Sequence, residues 1–469
     1  MATPAGDPAI GDPAIGDPER IAAGLTTLAE WSAGLAWANV PDAIRRRAAV
    51  VLADDLAAIV AARGEPELMA LHDGMARSSG TAEATVFNAR GQRLDRYSAA
   101  TANGSAADWC ELDEGYRRVI CHAGLYCVPA LLAEAEATGA SAEDMLRALV
   151  IGYETAGRVA RAFTWSTLTL HPHGSLAAVG AAASVAVLRR LPPATVAAAI
   201  GSAATMVVPG PFNHTVEGAL VRNVWPGVGA WAGLRAVDWA GIGIAGRPES
   251  LHDVYGAAFA GDCHPGELTD ELGESWALAD GYHKLHACCQ YAHSAVEAML
   301  AALPKVTGGA AGIRGIHIDT HWRGQKLDNA RPATTLASKF SMQHILASTA
   351  VHGHAGAEAF HASTLDDPKI AALREAVSIG AFEPEPAWPN DRPARVVVET
   401  ADGGRVIEEC LSARGGPDRP FAPEEIRAKI AGIVEAPYPR MAPALMRLLD
   451  LEPAMLAAPW DRSVREMTA

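Results

Sequence analysis

The sequence predicts a mainly α protein that consists of a large all-helical domain and a smaller α+β domain. The length of 469 residues favours two domains over one. In composition, 49% of the residues are hydrophobic but only 6% are aromatic, and alanine dominates long stretches, as is typical of closely packed helices. After about residue 280 the helical spacing of apolar residues gives way to alternation, which indicates strands.

The same patterns divide the chain into four segments. Residues 1–17 carry an imperfect Gly-Asp-Pro-Ala-Ile repeat without helical or strand periodicity, which predicts a disordered tail. Residues 18–280 are predicted to form the first part of the helical domain, and residues 281–412 the α+β domain. Helical signals return in residues 413–469, so the large domain is predicted to be discontinuous.

Two helices of the large domain have clear boundaries in the sequence. One is predicted from Ser141 to about Phe163, because Ser141 can cap a helix while Glu143 and Asp144 favour its positive end. The other is predicted over Gly174–Leu188, where many small residues permit neighbouring helices to approach closely. This second helix is expected to start directly after a histidine motif.

The smaller domain is predicted from alternating strands and a hairpin. Apolar and polar residues alternate over Ile313–Trp322, and Arg395–Thr400 and Arg405–Glu409 flank the turn residues Asp402-Gly403-Gly404. The proline-rich stretch Phe382–Pro393 is predicted to be an exposed connection. In the C-terminal segment, helical structure is predicted from residue 423 to about residue 455.

Charge and cysteine content exclude several classes of protein. Lys and Arg number 39 against 54 Asp and Glu, a net charge of −15, and the basic residues form no cluster longer than Arg45-Arg46-Arg47. A surface for nucleic acid or an anionic membrane is therefore not expected. The seven cysteines are scattered and include the adjacent pair Cys288-Cys289, which argues against a disulfide framework. With no signal-peptide pattern and no long apolar run, we expect a cytoplasmic protein.

The first candidate site is the motif His171-Pro172-His173-Gly174, which precedes a predicted helix. A helix N-terminus presents unpaired N–H groups and partial positive charge, so it favours a carboxylate. Two imidazoles at that point indicate proton transfer near neutral pH. The alternative is structural: one histidine caps the helix and the other packs.

The second candidate is an acidic run of Asp108, Glu111, Asp113 and Glu114, followed by His122. Crowded carboxylates raise one another's proton affinity, which can keep one as an acid while another remains a base. A solvated acidic loop has the same composition, and on the pattern alone that interpretation is favoured.

The third candidate is the segment from His283 to His293, which contains Lys284 and His286. Lys284 could hold a substrate carboxylate, and the histidines could exchange protons. A zinc site is the alternative, but adjacent cysteines lack the Cys-x-x-Cys spacing of structural zinc, so no metal is predicted. No nucleotide-binding glycine motif or Gly-x-Ser-x-Gly elbow is present, so no cofactor is predicted and acid–base chemistry remains.

Together these segments resemble the MmgE/PrpD family over nearly the whole chain from about Ile21. The resemblance rests on the order and spacing of several short motifs, namely Ala102-Asn103-Gly104, the acidic run up to His122, Ala133-Glu134-Ala135, Gly152-Tyr153-Glu154, His171-Pro172, Lys284 to His293, and Lys339 to His344 with Gly353. It implies a large helical domain built from both ends of the chain, an α+β lid domain, a homodimer, and an active site between the domains. It also implies small di- or tricarboxylate substrates.

Four positions carry over from the family most directly. His171 stands at the His-Pro histidine, Lys284 at the lysine before the Cys-Cys segment, and His122 at the histidine that closes the acidic loop. Arg222 stands where relatives often carry a basic residue that could grip a carboxylate. These four residues are expected to meet in one cleft.

The chain also departs from the family pattern. Glu111 takes the place of a key aspartate in the acidic loop, and its longer side chain would move the carboxylate. His286 occupies a position that is often Tyr, and His344 a position where decarboxylating relatives place Tyr. The surplus of imidazoles predicts a substrate that differs from those of the relatives.

The resulting hypothesis is a cofactor-independent lyase, a dehydratase or decarboxylase. Arg222 and Lys284 would hold carboxylates, and His171 would act as general base or acid at the carbon next to one of them. Glu111 or Asp113 would orient groups or relay protons, and His122, His286 and His344 would complete the site. An epimerase of an amino- or imino-dicarboxylate and a catalytically degenerate metabolite-binding homologue stay open as alternatives.

Overall fold

Residues 18–469 are described by a computed structural model, and the predicted tail of residues 1–17 lies outside the described residues. Helices dominate, which confirms the mainly α prediction. The helices of the first part are α1 (Pro18–Gly34), α2 (Asp42–Ala61), α3 (Pro66–Ala76), α4 (Arg96–Ala107), α5 (Ala123–Thr138), α6 (Ala142–Ala162), α7 (Pro172–Leu188), α8 (Pro193–Ala204), α9 (Asn213–Glu217) and α10 (Trp225–Gly241). Short strands join parts of this region: β1 (Ala84–Thr85), β2 (Arg93–Leu94), β3 (Gly115–Tyr116), β4 (Phe163–Thr164), β5 (Asp262–Cys263) and β6 (Gly281–Tyr282).

Helix α7 lies at the centre of the helical domain. Every residue of this helix is buried, and it packs against α5, α6 and α10. Its close approach to α10 is possible because small residues face each other, with Gly233 of α10 beside Ala181 and Ala182 of α7. The predicted small-residue helix is present, but it begins at Pro172, two residues before the predicted start, so the histidine motif forms its first turn.

Helix α6 confirms the other prediction of a helix boundary. It spans Ala142–Ala162, and the Ser141 hydroxyl caps it by accepting a hydrogen bond from the Asp144 N–H at 3.1 Å. The cap satisfies one of the free N–H groups of the first turn. Nearly all residues of α6 are buried, so this helix belongs to the core of the helical domain and not to its surface.

The smaller domain is built on a four-stranded sheet in the order β10-β9-β7-β8. Its elements are α11 (His293–Ala302), β7 (Ile313–Thr320), α12 (Trp322–Gln325), α13 (Thr335–Lys339), α14 (Met342–His352), α15 (Pro368–Glu375), β8 (Val377–Ala381), β9 (Ala394–Thr400) and β10 (Arg405–Cys410). Buried positions alternate along β9, and the β9–β10 hairpin has the predicted antiparallel pairing. Helices α11, α14 and α15 pack against the strands.

The C-terminal segment packs back onto the first part of the chain. Prolines 437 and 439 interrupt the helix predicted over residues 423–455, because proline lacks the N–H that a helix interior needs. The helices are α16 (Pro423–Val434), α17 (Met441–Leu449), α18 (Pro453–Ala457) and α19 (Trp460–Thr468). Helices α16 and α17 contact α2, and α19 contacts α5.

The connection between β8 and β9 departs from the prediction of an exposed segment. Its middle is exposed, but Arg392 and Pro393 at its end are buried against the rest of the protein. Arg392 is thus buried, although the residues around it in the sequence are typical of a surface loop. Separately, none of the helices within residues 18–469 combines the length and apolar character needed to cross a bilayer.

Candidate active site

Four segments distant in sequence meet around one cleft with an empty volume of about 430 Å³, part of it open to solvent. The acidic run follows α4, the histidine motif opens α7, and Arg222 lies in a short turn before α10. Lys284 follows β6, which pairs with β3 so that Tyr282 lies opposite Gly115. This pairing places the lysine beside the acidic run.

Arg222 lies at the centre of the buried charges. Its Nη1 donates to carboxylate oxygens of Asp108 and of Glu111, the latter at 2.6 Å, and its guanidinium lies over the Phe340 ring with its carbon 5.0 Å from the ring centroid. Its Nη2 lies 3.2 Å from Nε2 of His171. The side chain is fully buried, so carboxylates rather than water balance its charge.

Lys284 supplies the second buried cation. Its Nζ donates to Oε2 of Glu111 at 3.2 Å and to Oδ1 of Asp113 at 3.3 Å. Burial by itself lowers the pKa of Lys284, but the charges of Asp113 and Glu111 outweigh it and hold the pKa well above its usual range. The lysine is therefore a permanent cation in this site.

The acidic run is buried, so the expectation of a solvated loop is wrong for this protein. Asp108, Glu111, Asp113 and Glu114 are each nearly or fully inaccessible to solvent. Burial would raise the pKa of Glu111 and Asp113, yet the adjacent cations hold the pKa of both below its ordinary value. They remain carboxylates because Arg222 and Lys284 lie against them.

Asp108 behaves differently from its two neighbours. Burial raises the pKa of Asp108 well above its ordinary value, and the charges of Glu111 and Asp113 add to that effect against the opposing Arg222. Glu111 and Asp113 by themselves match the charges of Arg222 and Lys284, so both cations are neutralised before any substrate enters.

Glu111 also adopts an unusual backbone conformation. Its φ of 53° lies in the left-handed region, which is strained for a residue other than glycine by about 1–3 kcal/mol. The conformation lets one carboxylate reach both Arg222 and Lys284. Glu111, the residue at which the chain departs from the family pattern, is thus held in place by its ion pairs with Arg222 and Lys284.

His122 and Asp113 form a histidine–carboxylate pair at the edge of the cleft. Nδ1 of His122 lies 2.6 Å from Oδ2 of Asp113 and 2.9 Å from the Glu114 carbonyl oxygen. Both neighbours accept, so Nδ1 carries the proton and Nε2 is unprotonated in the neutral ring. Nε2 has no hydrogen-bond partner within residues 18–469 and the residue lines the cleft.

His171 caps α7 and lies deeper than His122. Its Nδ1 faces the His173 N–H at 3.3 Å and its Nε2 faces Arg222, while its ring stacks on Phe212 with centroids 5.6 Å apart. Burial and the Arg222 charge lower the pKa of His171 well below its ordinary value, so the ring is neutral. A neutral imidazole has one N–H, so the two nitrogens cannot both accept.

His173 is part of the cluster's support. Its Nε2 lies 3.0 Å from Oδ1 of Asp108, and its Nδ1 lies 3.1 Å from the Tyr126 hydroxyl. The ring is fully buried and does not line the cleft. It therefore positions Asp108 rather than touching a ligand.

Most of the site residues predicted from sequence meet in this cluster, but two do not. His171, Glu111, His122, Arg222 and Lys284 line the cleft, and Asp113 contacts two of them. His286 instead packs edge-on against the His293 ring, with centroids 5.2 Å apart. His344 is buried in the smaller domain, where its Nδ1 lies 3.0 Å from Nη1 of Arg374.

The cleft also contains residues that sequence reasoning missed. They are Tyr282 in β6, Gln290 and Tyr291 in the segment that follows β6, and Arg392 just before β9. The one available signal for Arg392 was that it is the single basic residue in the proline-rich stretch Phe382–Pro393.

A further pair of buried acids lies behind Asp113. The Glu114 carboxylate accepts from the Tyr153 hydroxyl at 2.8 Å and from the Gly124 N–H at 2.6 Å. Burial raises the pKa of Glu114 to about 8 and holds that of neighbouring Asp55 well above its ordinary value. At least one of these two carboxyls therefore carries a proton at neutral pH.

Two groups of side chains in the described part of the chain have ligand atoms close enough to hold a metal ion, namely Asp113 with His122 and His173, and Asp108 with Glu111 and Asp113. In both groups the carboxylates already contact protein cations, Arg222 or Lys284. A metal ion bound there would have to displace Arg222 or Lys284 from these carboxylates, or bind beside them against their positive charge.

The sequence of the chain matches models of a known protein family. Sequence models of the MmgE/PrpD N-terminal domain and of the MmgE/PrpD C-terminal domain match residues 26–261 and 286–447. A cis-aconitate decarboxylase-like protein of Aspergillus oryzae is 26% identical over 423 aligned residues, which cover 81% of this chain and 83% of the relative. A cis-aconitate decarboxylase of Aspergillus terreus is 24% identical over 428 residues, covering 84% and 86%.

Proposed function

The chain belongs to the MmgE/PrpD family, and on that basis we propose that it is a lyase that removes water or carbon dioxide from a small di- or tricarboxylate. The names of the similar curated proteins support a decarboxylase or dehydratase type of reaction. The buried cations support a carboxylate substrate.

The observation that carries the proposal is the His122–Asp113 pair. Asp113 accepts from Nδ1 of His122, which fixes the tautomer and would stabilise the ring once it is protonated. Nε2 is then available to move a proton at the carbon next to a substrate carboxylate. In loss of water Nε2 takes the proton from carbon, and the hydroxide that leaves the adjacent carbon receives that proton and departs as water. In loss of carbon dioxide a protonated ring donates to carbon the proton that takes the place of the departing carbon dioxide.

His171 has a different role in this proposal. Its neutral ring accepts the His173 N–H at Nδ1, so its Nε2–H lies beside the Arg222 guanidinium. A substrate carboxylate entering between them would accept hydrogen bonds from both groups and relieve the contact between two donors. His171 is thus a binding group, and the proton-transfer role assigned to it from sequence passes to His122.

The negative charge that develops on the reacting carboxylate needs a nearby cation. Lys284 remains charged because the carboxylates of Asp113 and Glu111 raise its pKa. It can therefore stabilise the developing negative charge without rearrangement. Placing His122, Asp113 and Lys284 in one hydrogen-bonded group couples proton movement to charge stabilisation.

Turnover of cis-aconitate, citrate and 2-methylcitrate, followed by proton NMR and carbon dioxide release, tests this function. His122→Asn should lower kcat by about 10²- to 10⁴-fold, the usual contribution of a general acid–base group. His352→Asn, at an exposed position on α14, is the matched control and should not change kcat.

The outcomes separate the alternatives. Equal kcat for wild type and His122→Asn would refute the assignment of His122. Deuterium exchange at carbon of iminodisuccinate in heavy water, without loss of water or carbon dioxide, would indicate an epimerase. Saturable binding of one carboxylate, with no turnover of any, would indicate a metabolite-binding homologue.

A further inference from the structure

Arg392 is a buried cation that lines the cleft without a matching carboxylate. It is 7% exposed and lies at the end of the connection from β8 to β9. Its Nε has no hydrogen-bond partner, and within residues 18–469 its ion-pair contact is Asp391, whose Oδ2 lies 3.9 Å from Nε. Its Nη2 reaches the carbonyl oxygen of Arg117 at 3.5 Å.

Asp391 is already committed to another cation. Its two carboxylate oxygens accept from Arg117, with Nη2 to Oδ1 at 2.6 Å and Nη1 to Oδ2 at 3.3 Å. Burial and the neighbouring Arg117 charge lower the pKa of Arg392 to about 10, so the guanidinium is still charged at neutral pH. An unpaired buried charge destabilises a fold unless a ligand compensates it.

This situation contrasts with that of the other two cations in the cleft. Arg222 and Lys284 are matched by the carboxylates of Glu111 and Asp113. A substrate with two or more carboxylates adds charge that this neutral cluster cannot balance. Arg392 is the cation whose charge remains available among the residues that line the described cleft.

Other unpartnered polar groups accompany Arg392. The Tyr291 hydroxyl and Oε1 of Gln290 are buried without a hydrogen-bond partner, and both residues line the cleft. The guanidinium carbon of Arg392 lies 5.2 Å from the Tyr291 ring centroid. A guanidinium and a hydroxyl are donors that suit a carboxylate, which would satisfy both of them.

The connection that carries Arg392 packs against Arg117 and Arg118 of the helical domain. Besides its bonds to Asp391, Arg117 donates to the Pro389 carbonyl oxygen at 3.2 Å. The guanidinium groups of Arg117 and Arg118 lie over the Trp388 ring, 4.7 and 4.5 Å from its centroid. These contacts hold the end of the connection in place, so Arg392 is positioned before a ligand arrives.

We propose that Arg392, with the Tyr291 hydroxyl, binds the carboxylate of the substrate that lies away from the reacting carbon, and so selects di- and tricarboxylates over monocarboxylates. This inference rests on the proposed function for the identity of the reacting end. It assigns the specificity to the connection between β8 and β9.

Binding measurements test the inference without requiring turnover. Isothermal titration would compare succinate with butyrate, its monocarboxylate counterpart, on wild type, Arg392→Gln and Arg392→Lys. Arg392→Gln should weaken succinate binding roughly ten- to hundred-fold, as expected for loss of a charged hydrogen bond, and leave butyrate binding unchanged. Arg392→Lys should retain part of the preference, because it keeps the charge but not the planar fork.

Stability and a matched control separate ligand binding from a structural role. Without ligand, Arg392→Gln should melt at the same or a higher temperature than wild type, because it removes an uncompensated buried charge. Arg395→Gln, which removes a half-exposed arginine paired with Glu409 on the sheet surface, should keep the succinate preference.

The results distinguish this inference from the proposed function. An unchanged succinate preference in Arg392→Gln, or equal losses for succinate and butyrate, would overturn the role of Arg392 even if the enzyme turns over a dicarboxylate. A preference that disappears in this variant would support the role of Arg392 even if no carboxylate is turned over, a result that would sink the lyase assignment alone.

Discussion

Replacement of Lys284 by Met tests the charge balance of the site. Methionine is close to lysine in length and volume, so the change removes the charge without opening a large cavity. Glu111 and Asp113 then lose the ammonium group that lies 3.2 and 3.3 Å from their oxygens. Removal of one partner from a buried ion pair costs about 3–5 kcal/mol.

The stability lost in Lys284→Met should depend on pH in a defined direction. In the wild type the cations hold the pKa values of Glu111 and Asp113 below their ordinary values, so these carboxyls stay charged in the folded state as pH falls. In Lys284→Met only Arg222 opposes the effect of burial, so the same carboxyls take up protons at a higher pH and their uncompensated charge is removed. Because the unfolded chains take up protons on these carboxyls alike, the difference in free energy of unfolding should be largest near pH 7.5 and should shrink as pH falls.

A second substitution should restore part of the stability. Asp113→Asn in the Lys284→Met background removes the carboxylate that lost its partner, while the amide oxygen can still accept from Nδ1 of His122. We expect recovery of about 2 kcal/mol relative to the single variant, because the uncompensated charge is the larger part of the cost. Lys305→Met, which removes an exposed lysine paired with Glu408, is the control and should cost less than about 1 kcal/mol.

Urea unfolding followed by far-ultraviolet circular dichroism at pH 7.5 measures these differences. The reasoning would be refuted if Lys284→Met unfolds within about 1 kcal/mol of wild type, since a buried pair cannot then be holding the carboxylates. A double variant no more stable than the single one would refute the charge-balance explanation and leave packing as the cause.

Two other predictions concern stability near the site. Burial raises the pKa of Glu114 to about 8, so the folded state binds more protons than the unfolded state between about pH 4.5 and 8 and stability falls as pH rises in that window. Glu114→Gln should make that dependence shallower by up to about 1.4 kcal/mol per pH unit in urea unfolding; an unchanged slope would contradict the shift. A Cβ at Gly104 would lie 2.7 Å from Cα of Gly227, where α4 meets α10, so Gly104→Ala should cost about 1–3 kcal/mol. Gly432→Ala on α16, where no atom lies within 4 Å of the added carbon, should instead stabilise by about 0.5–1 kcal/mol, and equal effects of the two would rule out the close contact.

Sequence reasoning succeeds where the signal is local. The Ser141 cap, the small residues of Gly174–Leu188 and the Asp402-Gly403-Gly404 turn are local signals, and the helices and hairpin they predict are present. The helix predicted after residue 423 is interrupted, because proline removes the hydrogen bonds that a continuous helix needs.

Burial of the acidic run could not be predicted from its composition. The same carboxylates would be solvated if no cation faced them, and the two cations that do are about 110 and 170 residues away along the chain. The resemblance to the family predicted that Arg222 and Lys284 lie in one cleft with His122 and His171, but not that Glu111 and Asp113 neutralise the two cations.

His286 shows why spacing is a weak guide in irregular segments. The chain from His283 to Cys289 is neither helix nor strand, so neighbouring side chains have no fixed relation. Nδ1 of His283 contacts Asp54 at 2.8 Å, Lys284 enters the cleft, and His286 packs on His293. Proximity in sequence to Lys284 therefore does not place His286 in the site.

Charge balance connects the site to the proposed reaction. Glu111 and Asp113 balance the charges of Arg222 and Lys284, and Arg392 adds one positive charge to the cleft. A dicarboxylate brings two negative charges, and proton transfer from carbon to His122 leaves the total unchanged, because the ring gains the charge that the substrate loses. That transfer creates an imidazolium beside Asp113 at the moment when charge accumulates on the reacting carboxylate near Lys284. A monocarboxylate would leave no negative charge for Arg392, and this difference is what makes the arginine a selector of substrates.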